Sequence, residues 1–246
     1  MTALMGIAAR LRLARLMHIA PDEPDAVGAL AEASYAGGAD IVMLDEDLAD
    51  AIADETAEIG LAAITLAARA TQGLTGYFGR PVRAAQLSPD LFVLADAEAD
   101  PVRTRRLVGE WTMIGRRCTS DADTDAALAH PEVDFLMVGP GLERIRYAAR
   151  KAPAHDPRSK PWFAVGGITA ESLGAVIRAG AMRVAVGGAI TRASRPEEAA
   201  HVLKERLRTA WNDDPRMESV VAAAFGPKAT LNLPSDLKAR GANPPR

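Results

Sequence analysis

The chain has 246 residues, of which 48% are hydrophobic, 25% charged and 4% aromatic. That length and apolar content allow one sizeable core, exclude a mainly disordered chain, and match the roughly 250 residues of a (β/α)8 barrel. With 29 Lys and Arg against 32 Asp and Glu, a formal charge of −3, the overall balance gives no reason to expect nucleic acid or membrane as a partner.

Short apolar runs alternate with longer helical stretches. The first strand is predicted at Arg15–Ala20, followed by a helix at Pro24–Ala36 that ends at the Gly37-Gly38 pair. A second strand, Asp40–Leu44, leads into a long alanine-rich helix at Ala49–Thr71. Leu61–Thr65 and Leu74–Phe78 compete for the third strand. Consecutive parallel strands need a crossover of about a dozen residues, and Leu74–Phe78, a short helix around Pro81–Leu87 and a fourth strand at Leu91–Ala95 satisfy it. A helix at Pro101–Val108, a strand at Thr112–Gly115, a helix at Asp121–Ala129 and a strand at Val133–Val138 follow. Glu143–Lys160 reads as a basic loop. Trp162–Val165 and Arg183–Val186 are the last strands, with helices at Thr169–Ala179 and Pro196–Trp211. Thr169 and Ser194 are N-cap candidates.

Most of these strands are continuously apolar, as expected for a parallel sheet buried on both faces. No G-x-G-x-x-G follows the first strand, which selects a single (β/α)8 TIM barrel over a doubly wound dinucleotide fold. Residues 1–212 are assigned to the barrel. Residues 213–246 are read as a loosely attached C-terminal tail, in which Glu218–Phe225 has room for one or two further helical turns.

The single Cys118 excludes an intrachain disulfide and any zinc site built on two thiolates. Arg10, Arg12 and Arg15, with no acid before Asp22, have the look of a transit peptide, but cleavage would remove the apolar first strand. A cytoplasmic protein is expected.

Barrel enzymes place their chemistry at the C-terminal ends of the strands, and a phosphate site often follows the last two. Those ends read Gly166-Gly167-Ile168 and Gly187-Gly188, where glycine lets backbone N–H groups approach an anion. Two glycine pairs at matching positions favour phosphate binding over turn geometry alone.

Trp162–Ile168, Ala179-Gly180, Val184–Val186 and Ala189-Ile190 resemble the thiamine-phosphate synthase/TenI family. Ile114-Gly115-Arg116, Val138-Gly139-Pro140 and Ala36–Val42 do so as well, and the resemblance runs over about Arg15–Leu207. It implies a (β/α)8 barrel that joins a thiazole phosphate to a pyrimidine diphosphate with magnesium, releasing pyrophosphate.

Several motif positions depart from that pattern. Where the family carries a Gln-x-Arg-x-Lys pyrophosphate pattern, this chain has Met43, Asp45 and Asp47. Its Asn-Asp-Arg becomes Phe78-Gly79-Arg80, and its Ser-Thr-His becomes Arg117-Cys118-Thr119. The family's threonine pair and lysine fall at Arg144, Arg146 and Tyr147, with Lys151 close by. Of the magnesium carboxylates, one near Glu98 or Asp100 is kept. The glycine-lined phosphate side therefore looks retained and the magnesium and pyrophosphate side largely lost.

Arg80, Arg116, Arg117, Arg144 and Arg146 are expected in strand-end loops of one face, with Lys151 and the basic loop beside them. Guanidinium binds phosphate without a metal, so they form a candidate anion site; a solvated basic loop is the plainer reading. Among Asp45, Glu46, Asp47 and Asp50, helix capping by Asp47 outweighs cation binding. His18 reads as a hydrogen-bonded barrel histidine, His130, His155 and His201 form no metal spacing, Cys118 reads as inert, and Trp111, Trp162 and Trp211 as core or interface.

The preferred function is a divergent family member that binds a phosphorylated small molecule, thiazole phosphate or similar. An active synthase using Mg2+ and a non-catalytic barrel for protein association are the alternatives. The expected partner is that phosphorylated ligand, with no nucleic acid and no membrane, and a homo-oligomer stays open.

Overall fold

The computed structural model describes residues 6–45, 54–94 and 99–225. A short helix α1 (Ile7–Leu13) precedes a closed parallel barrel. Its strands are β1 (Leu16–Pro21), β2 (Ile41–Asp45), β3 (Leu74–Gly79), β4 (Leu91–Leu94), β5 (Met113–Cys118), β6 (Phe135–Val138), β7 (Trp162–Ala164) and β8 (Val184–Val186). They pair in that order, and β1 closes on β8 through Met17↔Ala185 and His18↔Val186. Between and after the strands run α2 (Pro24–Ala36), α3 (Asp54–Thr71), α4 (Pro81–Leu87), α5 (Pro101–Val108), α6 (Asp121–Ala129), α7 (Leu142–Lys151) and α8 (Ala170–Arg178). The last strand is followed by the one-turn α9 (Gly188–Thr191) and the long α10 (Pro196–Asn212). The fold is a (β/α)8 TIM barrel, and each predicted strand overlaps an observed one.

Alternation along the strands divides the core. Met17, Met43, Val93, Met137, Phe163 and Ala185 point inward and pack as one cluster. The residues between them, such as Leu16, Leu136 and Ala164, point outward against the helices. Burial of both faces explains why the strands read as unbroken apolar runs. The interior is filled rather than hollow. Phe135 and Phe163 meet edge to face with centroids 6.3 Å apart, and Gly115 is bare because a Cβ there would lie 2.3 Å from the Phe135 ring.

Helix α1 was not anticipated from the sequence. It lies across the N-terminal end of the barrel, with Leu11 and Ala14 buried in the interior cluster. Arg183, itself buried at the start of β8, donates from Nη2 to Arg12 O at 2.7 Å, and Arg12 Nη1 donates to Pro157 O at 2.6 Å. Arg183 and Arg15 both lie against the Trp211 ring, at 5.0 and 4.7 Å from its centroid.

Four further expectations are corrected. The basic stretch Glu143–Lys160 is not a loop throughout, since α7 runs to Lys151 and buries Ile145 and Ala148. Residues 213–225 are not loosely attached. A 3-10 turn (Pro215–Met217) and α11 (Glu218–Phe225) bury Met217 and Val220 beside Trp211, and α11 packs on α1. Residues 226–246 lie outside the described residues. Arg195, not Ser194, occupies the N-cap of α10. Trp162 and Trp211 are core residues, but Trp111, in the turn before β5, is 84% exposed, which removes the core half of its core-or-interface reading. No helix among the described residues is long and apolar enough to cross a membrane.

Candidate functional site

The inward alternation carries Ile19, Asp45, Phe78, Arg117 and Val165 to the C-terminal rim of the barrel. Ile19, Phe78 and Val165 are half-buried against the interior cluster, while Asp45 and Arg117 are exposed. Asp45 lies beside Pro21 of β1 and Phe78 of β3, and Arg117 beside Met137 of β6. At this rim two polar side chains, Asp45 and Arg117, stand at the end of the inner column of the barrel.

Two glycine turns sit side by side on it, because β7 and β8 are neighbours. In the first, Gly166 and Gly167 are exposed and take φ of +108° and +62°, a region L side chains rarely adopt. Gly139 and Pro140 support this turn from behind. A Cβ on Gly139 would fall 2.0 Å from Val165 O, and one on Gly166 would fall 2.6 Å from the Pro140 Cβ. Gly167 has nothing within 4 Å of its Cβ position, so its outer side is open.

The turn runs directly into α8. Thr169 and Ser172 form a reciprocal capping box, with the Thr169 N–H donating to Ser172 Oγ at 2.9 Å. That leaves the N–H groups of Gly166, Gly167 and Ile168 without an acceptor among the described residues. In the second turn Gly188 and Ala189 open α9, and their N–H groups have no acceptor among the described residues, whereas those of Ile190 and Thr191 donate to Gly187 O. The paired turns therefore present a row of unbonded backbone donors next to a helix N-terminus, a combination suited to a tetrahedral oxyanion.

The basic residues do not gather as expected. Arg116 and Arg117 stand within β5, which runs on to Cys118, and not in a loop after it. Only Arg117 takes the inward side; Arg116 points the other way and donates from Nη1 to Ala99 O at 3.0 Å. Arg80 is exposed at the N-cap of α4. Arg144 donates from Nη1 to Pro140 O at 2.7 Å, and Arg146 pairs with Glu143. Lys151 ends α7 at the opposite end of the barrel, where its Nζ lies 3.1 Å from Asp125 Oδ1 and against the Tyr147 ring. The helical rise of α7 separates it from the rim by about 15 Å. Arg80, Arg117 and Arg144 thus remain rim candidates, whereas Arg146 and Lys151 are paired with acids on the helix exterior.

The acidic candidates are split. Glu46, Asp47, Asp50 and Glu98 lie outside the described residues. Asp100 caps α5, its Oδ1 accepting from Val102 N at 2.9 Å. Among the described residues no three His, Cys, Asp or Glu side chains come together around a metal position. The residues in view therefore do not by themselves fit magnesium, and no chemical step is routed through it. Cys118 is fully buried, and burial pushes its thiol up to about 12, which leaves it protonated and inert.

His18 faces outward from β1, away from the inner column. Its Nδ1 lies 2.7 Å from Ser34 Oγ and its Nε2 2.9 Å from Thr191 Oγ1 at the end of α9. Neither Thr191 nor Ser34 drew attention in the sequence. A hydroxyl at the end of a one-turn helix has no local signature, and its partner is 173 positions away.

The family model described as thiamine monophosphate synthase matches residues 16–190. A thiamine-phosphate synthase of Saccharopolyspora erythraea is 33% identical over 221 residues, covering 82% of this chain and 96% of that protein. One from Thermobifida fusca is 36% identical over 219 residues, covering 82% and 95%. Among solved structures, thiamine phosphate pyrophosphorylase from Pyrococcus furiosus superposes with a TM-score of 0.69 at 18% identity, covering 82% of this chain and 98% of that one, a likeness of fold. The matched span runs from the first strand to the one-turn helix after the last, so it takes in both glycine turns. On these grounds the chain belongs to the thiamine monophosphate synthase family.

Proposed function

We propose that the chain binds a phosphorylated small molecule, thiazole phosphate or a close relative, at the rim formed by β7 and β8. The phosphate is received by the N–H groups of Gly166, Gly167 and Ile168 on one side and of Gly188 and Ala189, beyond Gly187, on the other. The observation that carries this reading is the row of backbone donors left without acceptors at two adjacent turns. Arg117, Arg80 and Arg144 stand on the same rim as a source of positive charge for a second anionic group, in cytoplasmic surroundings where thiols stay reduced.

A second reading has the chain complete the synthase reaction, joining thiazole phosphate to a pyrimidine diphosphate. The identity of 33–36% over nearly the whole length of proteins named thiamine-phosphate synthase favours it. Two measurements separate the readings. Thiazole phosphate raises the melting temperature of the purified chain on either one. Turnover with both substrates and magnesium is expected on the second alone. If the pyrophosphate half of the site works through arginine rather than a metal, affinity for pyrophosphate survives chelation of divalent ions. A melting curve indifferent to thiazole phosphate overturns the phosphate reading.

A further inference from the structure

His18 is fully buried on the outward side of β1, between Leu16 and Ala20, where every other occupant is aliphatic. A polar ring in such a place is tolerated only when its nitrogens are bonded. Ser34 Oγ donates its single proton to Leu30 O at 2.7 Å. The same oxygen therefore accepts from His18 Nδ1–H, and Nε2 keeps its lone pair. The Thr191 hydroxyl donates into that lone pair at 2.9 Å. Burial pushes the imidazole down to about 4, so the ring is neutral and one tautomer is held.

The far end of this chain of bonds reaches the second glycine turn. Thr191 is the last residue of α9, and its N–H and that of Ile190 both donate to Gly187 O, at 3.1 and 2.9 Å. Gly187 also lies against β1, its Cβ position 3.4 Å from Ile19 O. A helix of four residues has no stability of its own. Its placement must come from tertiary contacts: the buried Ile190, the packing of α9 against α10 and β1, and the His18–Thr191 bond, the side-chain hydrogen bond among them. A leucine at position 18 would match its strand neighbours Leu16 and Ala20 but would leave the Ser34 and Thr191 hydroxyls without their imidazole partner, so the ring is explained by what it holds.

We propose that His18 is a positioning residue for the phosphate site: through Thr191 it fixes α9 and so aims the Gly188 and Ala189 N–H groups at the ligand. It touches no ligand itself. The inference rests on the phosphate reading above and adds the residue that makes one half of the cradle rigid.

The test is calorimetric binding of thiazole phosphate and of the unphosphorylated thiazole alcohol to the full chain and to three variants. His18→Leu removes both bonds, His18→Asn keeps only the reach to Ser34, and His18→Gln keeps the reach to Thr191. His18→Leu and His18→Asn are expected to weaken thiazole phosphate about tenfold, the size of one lost orienting hydrogen bond, and His18→Gln to restore most of it. The alcohol, lacking the phosphate, should bind all four proteins alike. Unchanged phosphate affinity in His18→Leu, or equal losses in the Asn and Gln variants, overturns the positioning role while leaving the phosphate reading intact. Failure of the wild-type chain to bind thiazole phosphate overturns both. If His18→Leu does not fold, the wild-type chain still decides the matter: the His18 ring ¹⁵N resonances must shift as thiazole phosphate saturates the site, and a static spectrum refutes the coupling.

Discussion

A methyl group added to Gly166 would lie 2.6 Å from the Cβ of Pro140, so the turn after β7 rests directly on the turn after β6. The glycine also holds φ at +108°. Gly166→Ala therefore meets a backbone-borne clash and a disfavoured dihedral together, and is expected to cost about 2–3 kcal/mol of stability. Chemical denaturation measures it. Thiazole phosphate affinity should fall in the same variant, because the N–H row is displaced.

Gly167→Ala is the contrasting case. Its φ of +62° costs an L residue about 1 kcal/mol, but nothing stands within 4 Å of the new methyl group. Stability should drop only slightly. The methyl projects into the space assigned to the phosphate, so binding should suffer more than folding. A variant that loses stability but binds normally would place the ligand elsewhere.

Burial of neutral His18 gives stability a defined pH dependence. Its pKa is about 4 in the folded chain against an ordinary value of 6.5, so the unfolded chain binds more protons between those limits. The contribution is complete above pH 6.5, is lost as pH falls from 6.5 toward 4, and levels off below. A gap of that size is worth about 3 kcal/mol. Its two hydrogen-bond partners are hydroxyls, which do not titrate in that range. The difference between wild type and His18→Leu in denaturation midpoints across pH 4–7 isolates the effect, and the leucine variant should show the flatter curve.

Away from the site, Arg105 should be a strong determinant of stability. Its guanidinium reaches Asp134 at 2.6 Å, Glu132 at 3.1 Å and the carbonyls of Gly109 and Thr112 at 2.9 and 2.6 Å. Asp134 also accepts from Ile114 N at 2.8 Å, so the cluster ties the end of α5 to the start of β5. Arg105→Met leaves two half-buried carboxylates and two carbonyls without this donor, and is expected to cost about 2 kcal/mol. Ligand affinity at the distant rim should not change.

The strands were legible because each is buried on both sides, as Ile41–Leu44 and Leu91–Leu94 are. Helix α7 was misread even though Leu142, Ile145, Ala148 and Ala149 recur at helical spacing. Its outer face is so densely basic that charge masked the period. Helix α1 buries only Leu11 along its own length, and its place is set by a barrel that must close before the helix has anything to cover. In the site, the glycine pairs were visible as punctuation at the ends of two strands. The support from Pro140 and the His18–Thr191 bond were not, because the first needs β6 and β7 to pair and the second needs β1 to close on β8. The basic residues were the reverse case. Listed in order they suggested one cluster, whereas strand alternation sent Arg116 outward and helical rise carried Lys151 to the far end.

The helix across the N-terminal end, with Leu11 and Ala14 seated on the inner column, gives the barrel a stopper. A ring of strands closed at its foot and filled through its middle offers no passage from end to end. Traffic must enter and depart over one lip, the edge bearing Phe78, Arg117 and Val165.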